Sequence, residues 1–180
     1  MISIVIGSWG SYNECNEKAY GSKWLDLSDF GTWEEIEKEL INQGFDLEGI
    51  DEELFIQDIE GVPSDAANWD YVNPKELFEL IKESEIADDT YKYDVFEAYV
   101  EVQNYDCWKD RVEKYGNKWD DDVILYPEMD FTDLAYHMIH EVCCYEIPSY
   151  LENYIDYEKF GRDLSFDGFY EYSNGIIEIR

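Results

Sequence analysis

The sequence predicts an elongated α+β fold of three small units in series: an N-terminal sheet with a helix, a central helical unit and a C-terminal α+β unit. Three observations lead there. Short apolar runs bounded by turn residues stand near both ends of the chain, and amphipathic helical periods fill the middle. Aromatic residues make up 17% of the 180 residues, enough to build a core, while a large acidic excess favours a shape that spreads charge. The units are placed at residues 1–61, 62–117 and 118–180.

Ile2, Ile4 and Ile6 lie in an opening strand, followed by a loop bearing Gly and Asn residues, and residues 24–27 form its partner strand. Asp29 or Thr32 caps a helix over residues 33–41, with Trp33, Ile36 and Leu40 on one face and Gly44 as its stop. Residues 54–56 read as a third strand. Asn73 and Pro74 then open a helix through about Glu83, with Leu77, Leu80 and Ile81 turned inward. Asp88 or Asp89 opens another through about Gln103, its apolar face carrying Val95, Tyr99 and Val102. A shorter helix over 107–115 closes at Gly116, and the run 123–126 is a strand ending at Pro127. Residues 132–145 form a helix, 148–160 a further one stopped by Gly161, and 164–179 strands joined by a turn at Ser173-Asn174-Gly175.

The chain holds 44 acidic residues against 13 basic, a formal net charge of -31. Such an excess often marks a disordered tail. Here the acids are interleaved with a 45% hydrophobic content that must be buried, so the protein folds. B-DNA carries one charge per roughly 1.7 Å of axis, so the net charge corresponds to about 50 Å of duplex. A compact chain of this length has a radius of gyration of about 16 Å. A moderately elongated fold would therefore carry a DNA-like linear charge density. Its partners are basic, and nucleic acid and anionic membrane are excluded.

No run is long enough to cross a bilayer, and the opening apolar stretch is too short for a signal peptide and lacks basic residues ahead of it. Cys15, Cys107, Cys143 and Cys144 have no paired metal or redox spacing, which points to a reduced, cytoplasmic protein.

Glu76, Glu79 and Glu83 recur at i, i+3 and i+7 on the helix after Pro74, and Asp94, Glu97 and Glu101 repeat the spacing on the next helix. Residues so spaced are about 5–6 Å apart at Cβ, and like charges there cost an isolated helix a few tenths of a kcal/mol per pair. Taken singly, either stripe is an ordinary solvated helix face. Taken with Asp120-Asp121-Asp122 and a charge far above the roughly 2–8 units that solubility needs, they form a candidate phosphate-mimicking surface.

Catalytic signals do not rise above background. His137 and His140, with Glu141 and Cys144, share one helical face and could ligate a metal, but the order H-x-x-H-E matches no zinc-protease motif. Partly buried helix histidines are the commoner occurrence of such a pattern. Asp120–Asp122 with Glu128 and Asp130 depart from EF-hand spacing. There is no phosphate-binding Gly-rich loop and no G-x-S-x-G elbow, and nothing calls for a cofactor.

The stretch 147–164 resembles the motif region of the ArdA-type antirestriction proteins, with Pro148, Leu151, Tyr154, Asp156, Tyr157, Gly161, Arg162, Asp163 and Leu164 where that family has like residues. Asn174-Gly175-Ile176 and Glu178-Ile179 continue it, residues 55–60 resemble the family's short strand ending in acids, and Tyr12-Asn13 with Gly21 and Trp24 resemble its N-terminal signature. Cys15 stands at a usual glycine position of that signature. The resemblance implies a three-part subunit, often a homodimer, whose acidic surface mimics bent B-form DNA. It further implies inhibition of type I restriction-modification enzymes through their methyltransferase core. By the same resemblance the motif residues lie near the dimer interface; Arg162, a rare cation among acids, is expected to pair with a carboxylate of its own chain. Two rival readings stand beside it: a DNA mimic aimed at a nucleoid protein, repressor or CRISPR effector, and a metal-binding protein centred on His137 and His140.

Overall fold

The computed structural model describes residues 2–63, 65–142, 147–148 and 150–180. The fold class is α+β. Among the described residues there are seven α-helices and two three-stranded antiparallel sheets. The chain divides into two compact units, Met1–Trp119 and Asp120–Arg180.

In the first unit, β1 (Ser3–Ser8) lies between β2 (Leu25–Asp26) and β3 (Leu54–Glu60). Ile4 faces Ile59 and Ile6 faces Ile56, with a bulge between Val5 and Ile6. Ile4, Ile6 and Ile56 are fully buried, as are Ile36 and Leu40 of α2 (Trp33–Asn42). That helix starts where expected, although the Thr32 hydroxyl makes no capping bond. The segment after β1 was expected to be a loop. It is instead α1 (Trp9–Glu14), capped by the Ser8 side chain, which accepts from the Ser11 N–H. Its six residues carry no apolar period, so the pattern that reveals longer helices was silent.

The helices of this unit are α3 (Pro74–Ser84), α4 (Thr90–Val102) and α5 (Tyr105–Tyr115). Asn73 caps α3 and Asp89 caps α4, each accepting two backbone N–H bonds. The buried face of α4 is wider than its sequence period suggests: Phe96, Ala98 and Val100 are buried besides Val95 and Tyr99, while Val102 is only half-buried. Against it pack Trp108 and Trp119, both fully buried; the Phe96 and Trp108 rings meet edge-on at 4.7 Å, and Tyr99 meets Trp119 at 6.2 Å. Within this unit Trp33 of α2 packs on Phe78 of α3, and the Tyr93 hydroxyl donates to the Gly61 carbonyl.

In the second unit, β6 (Gly175–Ile179) lies between β4 (Val123–Pro127) and β5 (Phe169–Tyr172). Two helices cover it, α6 (Phe131–His140) and α7 (Tyr157–Leu164). Leu134, Ala135 and Met138 of α6 join Leu164 of α7 and Tyr126, Phe169 and Ile176 of the sheet in one core. Asp130 closes a capping box with Asp133 at the start of α6. The helix was expected to reach residue 145; it ends at His140, and residues 143–145 lie outside the described ones.

Among the described residues, the helix expected over 148–160 begins only at Tyr157. Residues 152–154 make a single 3-10 turn, and Asp156 then caps α7 by accepting from the Lys159 N–H. Gly161 therefore sits inside a helix and does not stop one. Its role is steric: a Cβ there would lie 2.1 Å from the Phe131 carbonyl oxygen, so only glycine lets α7 approach the start of α6.

Candidate functional site

The apolar face of α3 buries Leu77, Phe78, Leu80 and Ile81, which turns Glu79 and Glu83 to solvent and leaves Glu76 half-exposed. On α4, Asp94 and Glu101 are exposed, while Glu97 is half-buried and accepts from the Tyr93 hydroxyl at 3.2 Å. Burial, together with the negative charge of Glu97, pushes the Tyr93 phenol up to about 12. Asp121 and Asp122 are exposed and Asp120 half-exposed, on the turn that leads into β4. The carbonyls of Asp120 and Asp122 accept from the Val123 and Arg180 N–H groups, so the backbone under this acidic run is fixed.

Basic side chains tie several of these acids to their surroundings. Lys109 of α5 donates to Glu76 and lies 3.9 Å from Glu113. That bond with Glu76 raises the Lys109 ammonium above the usual lysine range, despite partial burial. Lys92 of α4 bonds both Glu85, beyond the end of α3, and the Asn117 carbonyl. Hydrogen bonds from Lys92 and Asn117 hold Glu85 below the usual carboxylate range. Lys75 is a looser neighbour of Glu79 at 3.9 Å.

A third acidic row was not anticipated. Asp106, Asp110 and Glu113 are all exposed on α5 at i, i+4 and i+7. The signal was present in the sequence, but starting the helix at Cys107 left Asp106 outside it; the Asn104 side chain caps the helix two residues earlier. Glu34 and Glu35 are likewise exposed, in the first turn of α2.

Other acids serve the fold. Asp51 is buried and accepts from the Ser11 hydroxyl and the Asp46 N–H. Burial pushes its carboxyl up, yet the bonds from Ser11, Asp46 and Ser8 outweigh that and hold it below the usual range. Glu178 is buried in β6 against the Tyr126 hydroxyl and Arg180.

The two histidines do not converge. His137 Nδ1 bonds Glu141 at 2.9 Å, whereas His140 Nε2 meets the Tyr157 hydroxyl at 2.7 Å. Among the described residues no three His, Cys, Asp or Glu side chains are grouped to hold a metal ion, and Cys144 lies outside those residues. The motif residues divide by burial. Pro148, Leu151 and Tyr154 are exposed, Asp156 caps α7, and Tyr157 is the partner of His140. Gly161 and Leu164 are buried, while Arg162 and Asp163 are exposed with 3.7 Å between them. Arg162 and Lys159 border a groove of about 620 Å³ beside Phe131 and Asp156.

Fold and surface define a class: a folded α+β polyanion in two compact units, with carboxylate rows on amphipathic helices. Residues 4–178 match the family described as "Antirestriction protein (ArdA)", and the chain belongs to that family. It is thus an antirestriction protein, of an inhibitor family that acts on restriction-modification enzymes. No curated protein matches the chain. No helix among the described residues is long and apolar enough to cross a membrane.

Proposed function

We propose that this chain mimics B-form DNA and occupies the DNA-binding groove of type I restriction-modification enzymes, at their methyltransferase core, without performing catalysis. The observation that carries the reading is a net charge of -31 on a folded scaffold whose helices α3, α4 and α5 each expose carboxylates at helical spacing. A groove lined with Lys and Arg binds DNA largely by releasing counterions. A stiff polyanion with carboxylates in place of phosphates releases counterions in the same way, and a prefolded one loses little conformational freedom on docking. The phosphate-mimicking groups are Glu76, Glu79, Glu83, Asp94, Glu97, Glu101 and Asp120–Asp122, joined by Asp106, Asp110 and Glu113. They act collectively, in the cytoplasm, on a homodimer formed near the motif residues.

The reading is tested by displacing a fluorescent duplex from a purified type I methyltransferase, and by plating unmodified phage on restricting cells with and without the protein. Displacement should weaken steeply as salt rises, and plating should recover. Tight but salt-insensitive binding, or unchanged plating across several type I systems, would overturn it. If pull-down from host lysate enriches another DNA-binding protein instead, the target is wrong while the mimicry stands.

A further inference from the structure

We propose that Lys109 is a positioning residue that bridges α3 and α5 and fixes the Glu76 and Glu113 carboxylates as one unit of the partner-facing surface. The inference rests on the DNA-mimic reading and deepens it by assigning a role to a cation. Lys109 and Glu76 are 33 residues apart in sequence and belong to different helices, so their bond locks one helix to the other. The same ammonium lies 3.9 Å from Glu113, one turn further along α5. The Lys109 side chain is 26% exposed, against 42% for Glu76 and 54% for Glu113. The cation is thus less exposed than either of the acids beside it.

Tyr105 stands in the first turn of the same helix. It is buried, and burial together with Glu76, Asp106 and Glu113 pushes its phenol far up. Lys109 is bonded to Glu76 and lies 3.9 Å from Glu113, and an ammonium with three donors can serve both carboxylates. Without it Glu76 and Glu113 would repel and spread over several rotamers, and ordering them again on docking would cost affinity.

Charge counting and positioning predict opposite signs. Lys109→Met keeps an apolar stem but makes the chain one unit more negative, which by charge alone should tighten binding to a basic groove. Positioning predicts that binding weakens. Lys114→Met supplies the matched control, because it removes the same charge from the same helix where the ammonium lies over the Tyr115 ring, 4.7 Å from its centre.

The full-length chain and its variants would compete with a fluorescent duplex for a purified type I methyltransferase, below the melting temperature of every variant. Lys109→Met should lose about fivefold in affinity, Lys109→Arg should stay within about twofold of the parent, and Lys114→Met should bind equally or slightly tighter. Lys109→Met binding as tightly as the parent, even with a lowered melting temperature, would reduce Lys109 to a structural strut and overturn the proposal. An equal loss in Lys114→Met would do the same. Failure of the parent chain to displace the duplex would instead remove the DNA-mimic reading, and this inference with it.

Discussion

The two compact units meet the same electrostatic problem with different means. Met1–Trp119 carries 29 acidic residues against 10 basic, a net of -19, and Asp120–Arg180 carries 15 against 3, a net of -12. Per residue the smaller unit is the more highly charged. The first unit spends cations as links between helices, as with Lys109 on Glu76 and Lys92 on Glu85. The second has few cations and relies on acids as helix caps, with Asp130 and Asp133 at α6 and Asp156 at α7. The first unit uses that device at one of its described α-helices, where Asp89 caps α4. Acids are favourable at helix N-termini, where N–H groups and the helix dipole face them. A strongly acidic chain can thus be stabilised either by sparse, well-placed cations or by its own backbone.

The comparison is broken most forcefully at the helix contact of the second unit. Gly161→Ala places a methyl group against the Phe131 carbonyl oxygen, and overpacking of this kind costs about 3 kcal/mol. Residue-resolved hydrogen exchange should show protection lost across Asp120–Arg180 and kept in Met1–Trp119. In the first unit the counterpart is Asp51→Ala, which leaves the Ser11 hydroxyl and the Asp46 N–H without their acceptor and should cost about 2 kcal/mol. Because the folded Asp51 carboxyl titrates below its unfolded value, its contribution is complete above about pH 4 and fades as pH falls through the folded value. Acid titration followed by hydrogen exchange should therefore find the parent losing an increment of stability in this unit that the Asp51→Ala variant has already lost.

A smaller change of opposite sign sharpens the picture. Cys15 ends α1 with φ +52°, a left-handed conformation that costs a side chain and suits glycine. Cys15→Gly should raise the stability of the first unit by about 1 kcal/mol in denaturant unfolding. The smallest effect is expected for a single exposed acid. Glu83→Gln should change inhibition by about twofold or less, since many contacts share the energy, whereas neutralising Glu83, Asp94, Glu101 and Asp110 together should abolish most of it.

Much of the fold was legible because its signals are local. Asn73-Pro74 and Asp89 announced two helices, and the Ser173-Asn174-Gly175 turn announced the closing hairpin. The misses have local causes too. Trp9–Glu14 is too short to show a period, and Gly161 looked like a helix stop because punctuation and close packing use the same residue. Of the candidate surface, the α3 and α4 rows were readable from spacing alone, and the α5 row was lost through a helix start misplaced by two residues.

By itself the sequence determined the sign and size of the charge, the need for a folded core beneath it, and which carboxylates share a helical face, since composition and periodicity are properties of neighbouring residues. Only the tertiary structure decided which acids are tied to partners far along the chain and which of those stay at the surface. Glu76 meets Lys109 across 33 residues and Asp51 meets Ser11 across 40, and such pairs depend on how helices and loops pack, which no local spacing encodes.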